Sequence, residues 1–112
     1  YMGTRFIASD ESMADPAYKQ MVVDASGSDI VCSDALTGVK ANWLRASLEQ
    51  AGYDPDNMPK SDGIDIAKST DNVKRWRDVW AAGQGVGSVN DVLPVSAIVD
   101  RLEKEYREAC QL

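Results

Sequence analysis

The chain has 112 residues and a formal net charge of −6, and its composition, with 44% hydrophobic and 27% charged residues, is that of one globular domain. The acidic balance and the scattered Lys and Arg residues argue against nucleic-acid binding, because neutralising a phosphate backbone requires clustered positive charge. There is no apolar run long enough for a membrane span and no signal-peptide pattern, so we expect a cytoplasmic protein without a membrane partner.

The chain opens on what looks like the end of a strand over residues 1–8, in which apolar residues flank the small pair Gly3 and Thr4. Because a natural chain seldom begins inside a strand, we interpret the sequence as the C-terminal piece of a larger enzyme. Further along, Asp15 and Pro16 form a helix-start signal, which predicts a helix over 16–25. A short apolar run then predicts a strand over 30–32.

The middle of the chain is predicted to contain a helix and a long loop. Apolar residues at helical spacing predict a helix from 39 to 51, with Gly52 at the position that a helix C′ glycine occupies. The composition of residues 53–70, rich in Asp, Pro, Asn, Ser and Gly, predicts an extended surface loop. Asn72 could cap a further helix that includes Trp76 and Trp80.

The last part of the chain contains a glycine-rich segment over 83–87 and then an amphipathic helix opened by Pro94. The apolar stripe of this helix must pack against something large. In a (β/α)₈ barrel the last strand and last helix are neighbours, and an insertion between them lies at the active-site face. We therefore predict an α/β fold with the last barrel strand at 1–8, an inserted mostly helical subdomain at 9–71, and a glycine-rich loop at the active-site face with the last barrel helix at 72–112.

Two short motifs could bind a ligand. Gly3 and Thr4 could contact a phosphate, since glycine allows close backbone approach and threonine adds a hydroxyl donor, but the pair is also compatible with a plain strand-to-loop junction. The glycines of 83–87 would let the main chain lie against a flat ligand, with the Gln84 amide beside it; a linker between helices is the alternative. The GxGxG spacing, after a predicted helix, is not a dinucleotide fingerprint.

Other residues are interpreted as structural. Trp76 and Trp80, one helical turn apart, are more often core residues than a ligand wall, and Asn42 and Arg45 are more often on a solvated helix face than at an anion site. No general acid and base pair is evident, and the chain has no histidine.

The two cysteines have no spacing typical of a zinc site or a disulfide framework. We therefore expect no metal. Cys32 and Cys110 are expected to be ordinary buried thiols.

Several of these segments together resemble the C-terminal third of the nitronate monooxygenases, also called 2-nitropropane dioxygenases. The most specific are Met-Gly-Thr-Arg-Phe at 2–6 and Trp-Ala-Ala-Gly-Gln-Gly-Val-Gly at 80–87, followed by the amphipathic helix. The further matches are at 18–21, 29–31, Gly38 and 42–45.

The resemblance implies an FMN-binding TIM barrel with a helical substrate-binding subdomain inserted at 9–71. It further implies that the enzyme oxidises alkyl nitronates with O₂ to a carbonyl compound and nitrite. It places the flavin phosphate at Tyr1, Met2, Gly3 and Thr4. It places the contacts to the flavin ring at Ala82, Gly83 and Gln84. The catalytic base is expected before Tyr1, so this piece alone should be inactive, and the parent is a possible homo-oligomer.

Two alternatives remain open from the sequence. One is a flavin-dependent enoyl reductase of the same barrel superfamily, which carries a similar opening strand and glycine loop and would require a nicotinamide. The other is a stand-alone helical module that binds a partner protein through its amphipathic faces.

Overall fold

The computed structural model of the chain describes residues 2–58 and 77–111, which form a mixture of helices and strands. The helices are α1 (Gly3–Ile7), α2 (Pro16–Asp24), α3 (Arg45–Gln50) and α4 (Val95–Cys110). The strands are β1 (Ile30–Ser33) and β2 (Ala41–Leu44), and short 3₁₀ turns lie at Gly27–Asp29 and Gln84–Ser88. The expectation of a mostly helical segment over 9–71 therefore needs correction, since its described part contains a two-stranded sheet.

The opening of the chain is helical, so the prediction of a strand over 1–8 is wrong at Gly3–Ile7. Long-range contacts explain the difference, because the Arg5 guanidinium donates to the Asp91 backbone carbonyl at 3.0 Å. After the helix the chain extends, and Ser9 forms an isolated parallel bridge with Leu93. The opening segment therefore lies beside the residues that lead into α4.

Helix α2 confirms the start signal in the sequence. The Asp15 carboxylate accepts a hydrogen bond from the Ala17 amide at 2.8 Å, and Pro16 occupies the first helical position, where no N–H donor is needed. Val22 is fully buried on its inner face. The strand predicted over 30–32 is also confirmed as β1.

Strand β2 replaces the first part of the helix predicted from 39 to 51. It pairs with β1 in antiparallel register, Val31 facing Trp43, and only from Arg45 onward is the chain helical. Apolar residues at spacings of three and four were compatible with a helix, but the exposed edge of β1 provides backbone partners that local sequence does not show. Gly52 does follow α3 with φ of +88°, as the helix-end signal predicted.

Residues 80–82 run alongside the free edge of β2. The Leu44 amide donates to the Trp80 carbonyl at 3.0 Å, and the Ala82 amide donates to the Asn42 carbonyl at 3.3 Å. Trp43 and Ala81 form an antiparallel bridge between these two bonds. The segment is therefore extended and fixed where the sequence predicted helix.

Helix α4 confirms the predicted amphipathic helix after Pro94. Its first amide, at Val95, is capped by the Glu11 carboxylate at 2.9 and 3.1 Å. Ile98 is its one buried residue among those described.

Two clusters of buried side chains form the interior. The first cluster comprises Ala8, Val22, Leu44, Ala82, Val86 and Val89. The second cluster comprises Leu36, Trp43, Leu48 and Val79. Most of the predicted loop over 53–70, and most of the helix predicted from Asn72, lie outside the described residues.

Candidate functional site

A cleft of about 860 Å³ lies between α1, the glycine-rich segment and one side of α4. Five of the residues singled out in the sequence line it: Met2, Gly3, Thr4, Gly83 and Gln84. They come from positions about eighty residues apart in the chain, so the fold brings the two predicted ligand-binding motifs into one concave surface.

The other two predicted contact residues, Ala82 and Tyr1, are not among the described residues that line the cleft. Ala82 is only 6% exposed and belongs to the first cluster, so its side chain supports the cleft from behind. Tyr1 lies outside the described residues.

Thr4 and Gly83 make the contact that joins the two motifs. The Gly83 amide donates to the Thr4 hydroxyl oxygen at 2.8 Å. A Cβ atom at position 83 would lie 3.0 Å from the same oxygen, a tight contact that the Thr4 side chain would have to relieve by moving a few tenths of an ångström. Glycine is therefore favoured here by close approach, and its φ of −83° shows that backbone conformation is not the reason.

The glycine-rich segment is a 3₁₀ turn rather than an unstructured linker. The Val86 amide donates to the Gly83 carbonyl at 3.1 Å, and the fully buried Val86 side chain fixes the turn to the first cluster. The amides of Gln84 and Gly85 come first in this turn, where no carbonyl one turn earlier is available to them. They are consequently suited to donate to a ligand.

Asp91 connects the opening helix to α4 at the side of the cleft. Its carboxylate accepts from Arg5 at 3.0 Å and from Arg101 at 3.1 Å. The hydrogen bond from Arg101 holds the pKa of Asp91 below its ordinary value, and the charges of Arg101 and Arg5 act in the same direction against partial desolvation. The same pair raises the pKa of Arg101. The network sets the spacing of the two walls.

Arg5, Asp91 and Arg101 were not predicted as site residues. Arg5 lay inside the Met-Gly-Thr-Arg-Phe motif, so its charge was a visible signal. Asp91 belongs to a loop and Arg101 to α4. No local sequence pattern predicts that either residue lies close to α1.

The fit of a flavin phosphate can be tested on this geometry. The Thr4 hydroxyl oxygen accepts a hydrogen bond from the Gly83 amide. The hydroxyl hydrogen can rotate and donate to a ligand. No atom lies within 4 Å of where a Cβ of Gly3 or Gly85 would be, so the backbone there is open to a close ligand. The residues present fit a phosphate held by neutral donors.

The aromatic and polar residues weighed in the sequence are structural where they are described. Trp80 stacks on Tyr18, with ring centroids 5.0 Å apart and planes within 2°, and packs against the first cluster. Asn42 lies in β2, and Arg45 pairs with Asp56 at 3.1 Å. Trp76 lies outside the described residues.

The expectation of buried thiols is wrong for both cysteines, which are free and exposed. Cys32 points away from the core because side chains of β1 alternate between its faces, and Cys110 lies at the exposed end of α4.

Within residues 2–58 and 77–111, no group of three or more His, Cys, Asp or Glu side chains could hold a metal ion. None of the helices in these two ranges combines the length and apolar character that crossing a bilayer requires.

No protein-family model matches the chain, and no curated protein matches it. Among solved structures, the chain is similar to FabK from Thermotoga maritima, with 25% identity, a TM-score of 0.65 and coverage of 96% of this chain and 36% of that one. A single-site mutant of the same FabK matches with 27% identity, a TM-score of 0.67 and coverage of 96% and 34%. The chain thus spans about a third of the length of the FabK chains, and its fold resembles that part of FabK.

Proposed function

We propose that this chain is part of a flavin-dependent oxidoreductase and that the cleft between α1, the glycine-rich segment and α4 holds the phosphate end of FMN. The observation that carries the proposal is the 2.8 Å contact between Thr4 and Gly83, which joins two separately predicted ligand-binding motifs in one cleft. The likeness to FabK supports it, because FabK is a flavin-dependent enoyl reductase built on a TIM barrel.

Each described residue has a distinct part in this proposal. The Thr4 hydroxyl and the open backbone at Gly3 and Gly85 hold the phosphate, while Gly83 and Gln84 face the rest of the cofactor. Ala82 supports the segment from the first cluster without touching the ligand. FMN, when bound, supplies the electron-transfer chemistry, and the residues of this chain bind it, orient it and exclude water.

Two substrate classes follow from different observations. Enoyl reduction with a nicotinamide is favoured by the likeness to FabK. Oxidation of an alkyl nitronate with O₂ is favoured by the resemblance of the 2–6 and 80–87 motifs to the nitronate monooxygenases. In either case we place the catalytic base outside residues 1–112, because this chain contains no histidine and no paired acid and base.

The test uses the full-length protein. Purified protein should be yellow and should release FMN, identified by mass, on denaturation. A colourless preparation that FMN does not reconstitute would overturn the proposal.

Two assays then separate the substrate classes. Nicotinamide-dependent loss of an enoyl thioester would support the reductase, and O₂-dependent release of nitrite from an alkyl nitronate would support the oxidase chemistry. Bound FMN with neither activity would leave the cofactor assignment standing and reject both substrate assignments.

A further inference from the structure

We propose that Tyr18 is a positioning residue for the cofactor site: its hydroxyl fixes the Ala81 carbonyl and thereby the orientation of the 80–83 segment where it enters the cleft. The inference rests on the proposed function, since it assigns a role in flavin binding to a residue on α2 that does not line the cleft. It is carried by the hydrogen bonds around the segment.

The 80–83 segment is held along one edge by β2 and α3. The Trp80 amide donates to the Ser47 hydroxyl at 2.8 Å, and the Trp80 carbonyl accepts from the Leu44 amide at 3.0 Å. The Ala82 amide donates to the Asn42 carbonyl at 3.3 Å. These bonds fix the position of the segment relative to the sheet.

The Ala81 carbonyl lies on the opposite edge, because backbone groups of successive residues in an extended chain point in alternate directions. The Tyr18 hydroxyl donates a hydrogen bond to it. Two residues further on, Thr4 accepts from the Gly83 amide. Tyr18 and Thr4 are therefore the side chains that determine how the segment turns from the sheet toward the cleft.

Tyr18 is itself held in one orientation. It projects from α2, and its ring stacks on the Trp80 ring with centroids 5.0 Å apart and planes within 2°. Burial raises the pKa of the Tyr18 hydroxyl above its ordinary value, so the group remains a protonated donor at neutral pH. A fixed ring and a permanent donor are the properties that a positioning group needs.

Loss of the hydroxyl would leave the Ala81 carbonyl half-buried without this donor. A hydrogen bond of this kind contributes about 0.5–1.5 kcal/mol net, so its loss would shift the equilibrium between the cleft-facing orientation of the segment and other orientations by about 2- to 10-fold. The apparent affinity for FMN falls with the fraction of protein in the binding orientation. A phenylalanine at position 18 would keep the ring and its stacking on Trp80. Loss of the hydroxyl should therefore change the geometry of the 80–83 segment rather than the packing of the first cluster. The change in geometry should alter the affinity for FMN and its visible absorption, because the cofactor is proposed to lie beside Gly83 and Gln84.

The experiment compares full-length wild type with Tyr18→Phe and the control Tyr106→Phe, a position that is 71% exposed on α4. FMN is titrated into deflavinated protein while affinity and the visible absorption bands are followed, and thermal unfolding is recorded for the apoproteins. We expect Tyr18→Phe to bind FMN about 2- to 10-fold more weakly and with shifted bands, at an apoprotein Tm close to wild type. Tyr106→Phe should match wild type throughout.

Three results would overturn the inference. The first is a Tyr18→Phe variant with wild-type affinity and spectrum. The second is weaker binding with an unshifted spectrum and an apoprotein Tm lowered by many degrees, which would assign Tyr18 to general stability. The third is an equal effect of Tyr106→Phe. Failure of the wild type itself to bind FMN would instead reject the proposed function, so the two failures are distinguishable.

Discussion

The extended segment at 80–83 and helix α4 are held in opposite ways. The segment is fixed on both edges by hydrogen bonds from β2, α1 and α2, and its Ala82 side chain is buried in the first cluster. Helix α4 has 16 residues, four times as many as the segment, but has only Ile98 buried among its described residues. In this chain, length and a clear amphipathic pattern do not indicate where the interior lies.

Among residues 2–58 and 77–111, the contacts that anchor α4 lie in its first half. Glu11 caps Val95, Ile98 is buried, and Arg101 pairs with Asp91. Beyond these contacts the apolar stripe is open, with Val99 50% and Tyr106 71% exposed. The rest of the helix depends on its own backbone and on exposed ion pairs, which contribute little to stability.

The largest expected effect comes from removing a side chain that the second cluster encloses. Trp43 is fully buried, so Trp43→Ala should lower the free energy of unfolding of the 112-residue chain by about 3–5 kcal/mol. Val99→Ala on the open side of α4 should change it by less than about 0.5 kcal/mol. Urea unfolding followed by circular dichroism measures both.

A Val99→Ala variant as destabilised as Trp43→Ala would show that the open side of α4 is covered in solution. The contrast between the two regions would then be wrong.

An intermediate effect is expected at the contact between Thr4 and Gly83. A Gly83→Val side chain would collide with the Thr4 hydroxyl, and overpacking of this kind costs about 1–3 kcal/mol. FMN affinity of the full-length protein should fall by about 5- to 150-fold, as followed by flavin fluorescence. Gly87→Ala is the control, since Gly87 lies in the same turn without lining the cleft and a Cβ there makes an ordinary contact, 3.6 Å from the Gly27 amide nitrogen, so this variant should retain affinity. Equal losses in both variants would remove the special status of position 83.

The smallest expected effect concerns pH and the bridge between α1 and α4. Because the folded state lowers the pKa of Asp91, the ionised carboxylate contributes stability above its unfolded pKa of about 4, and this contribution is lost as the pH falls through the lower folded value. Asp91→Asn should therefore unfold at lower urea concentration than wild type at about pH 7, with the difference shrinking toward about pH 3.

Asp100→Asn, an exposed acidic position on α4, serves as the control. A difference between wild type and Asp91→Asn that stays constant with pH would exclude the charge of Asp91 as its cause.

Local signals in the sequence predicted those elements whose ends are fixed by neighbouring residues. Asp15 and Pro16 identified the start of α2, Pro94 preceded α4, and Gly52 marked the end of α3. Each acts through a cap, a fixed φ or a positive φ, and none needs a distant partner.

The elements that were missed depend on distant partners. β2 forms because β1 and the 80–82 segment flank it, and α1 forms where Arg5 reaches Asp91. Five of the predicted site residues line the cleft. They could be singled out from the sequence because the small size of glycine and the hydroxyl of threonine are evident from residue type alone. The bridge through Asp91 and the support from Tyr18 could not be predicted, because they arise only when separate segments meet.

The proposed function requires that the flavin phosphate is held where Thr4 meets Gly83. The most direct measurement is the affinity of deflavinated full-length protein for FMN relative to riboflavin, which lacks the phosphate, in wild type and in Thr4→Val. We predict that wild type prefers FMN by at least about tenfold and that Thr4→Val loses most of that preference, because its affinity for FMN falls further than its affinity for riboflavin. Equal affinity of wild type for the two flavins, or an unchanged preference in Thr4→Val, would contradict it.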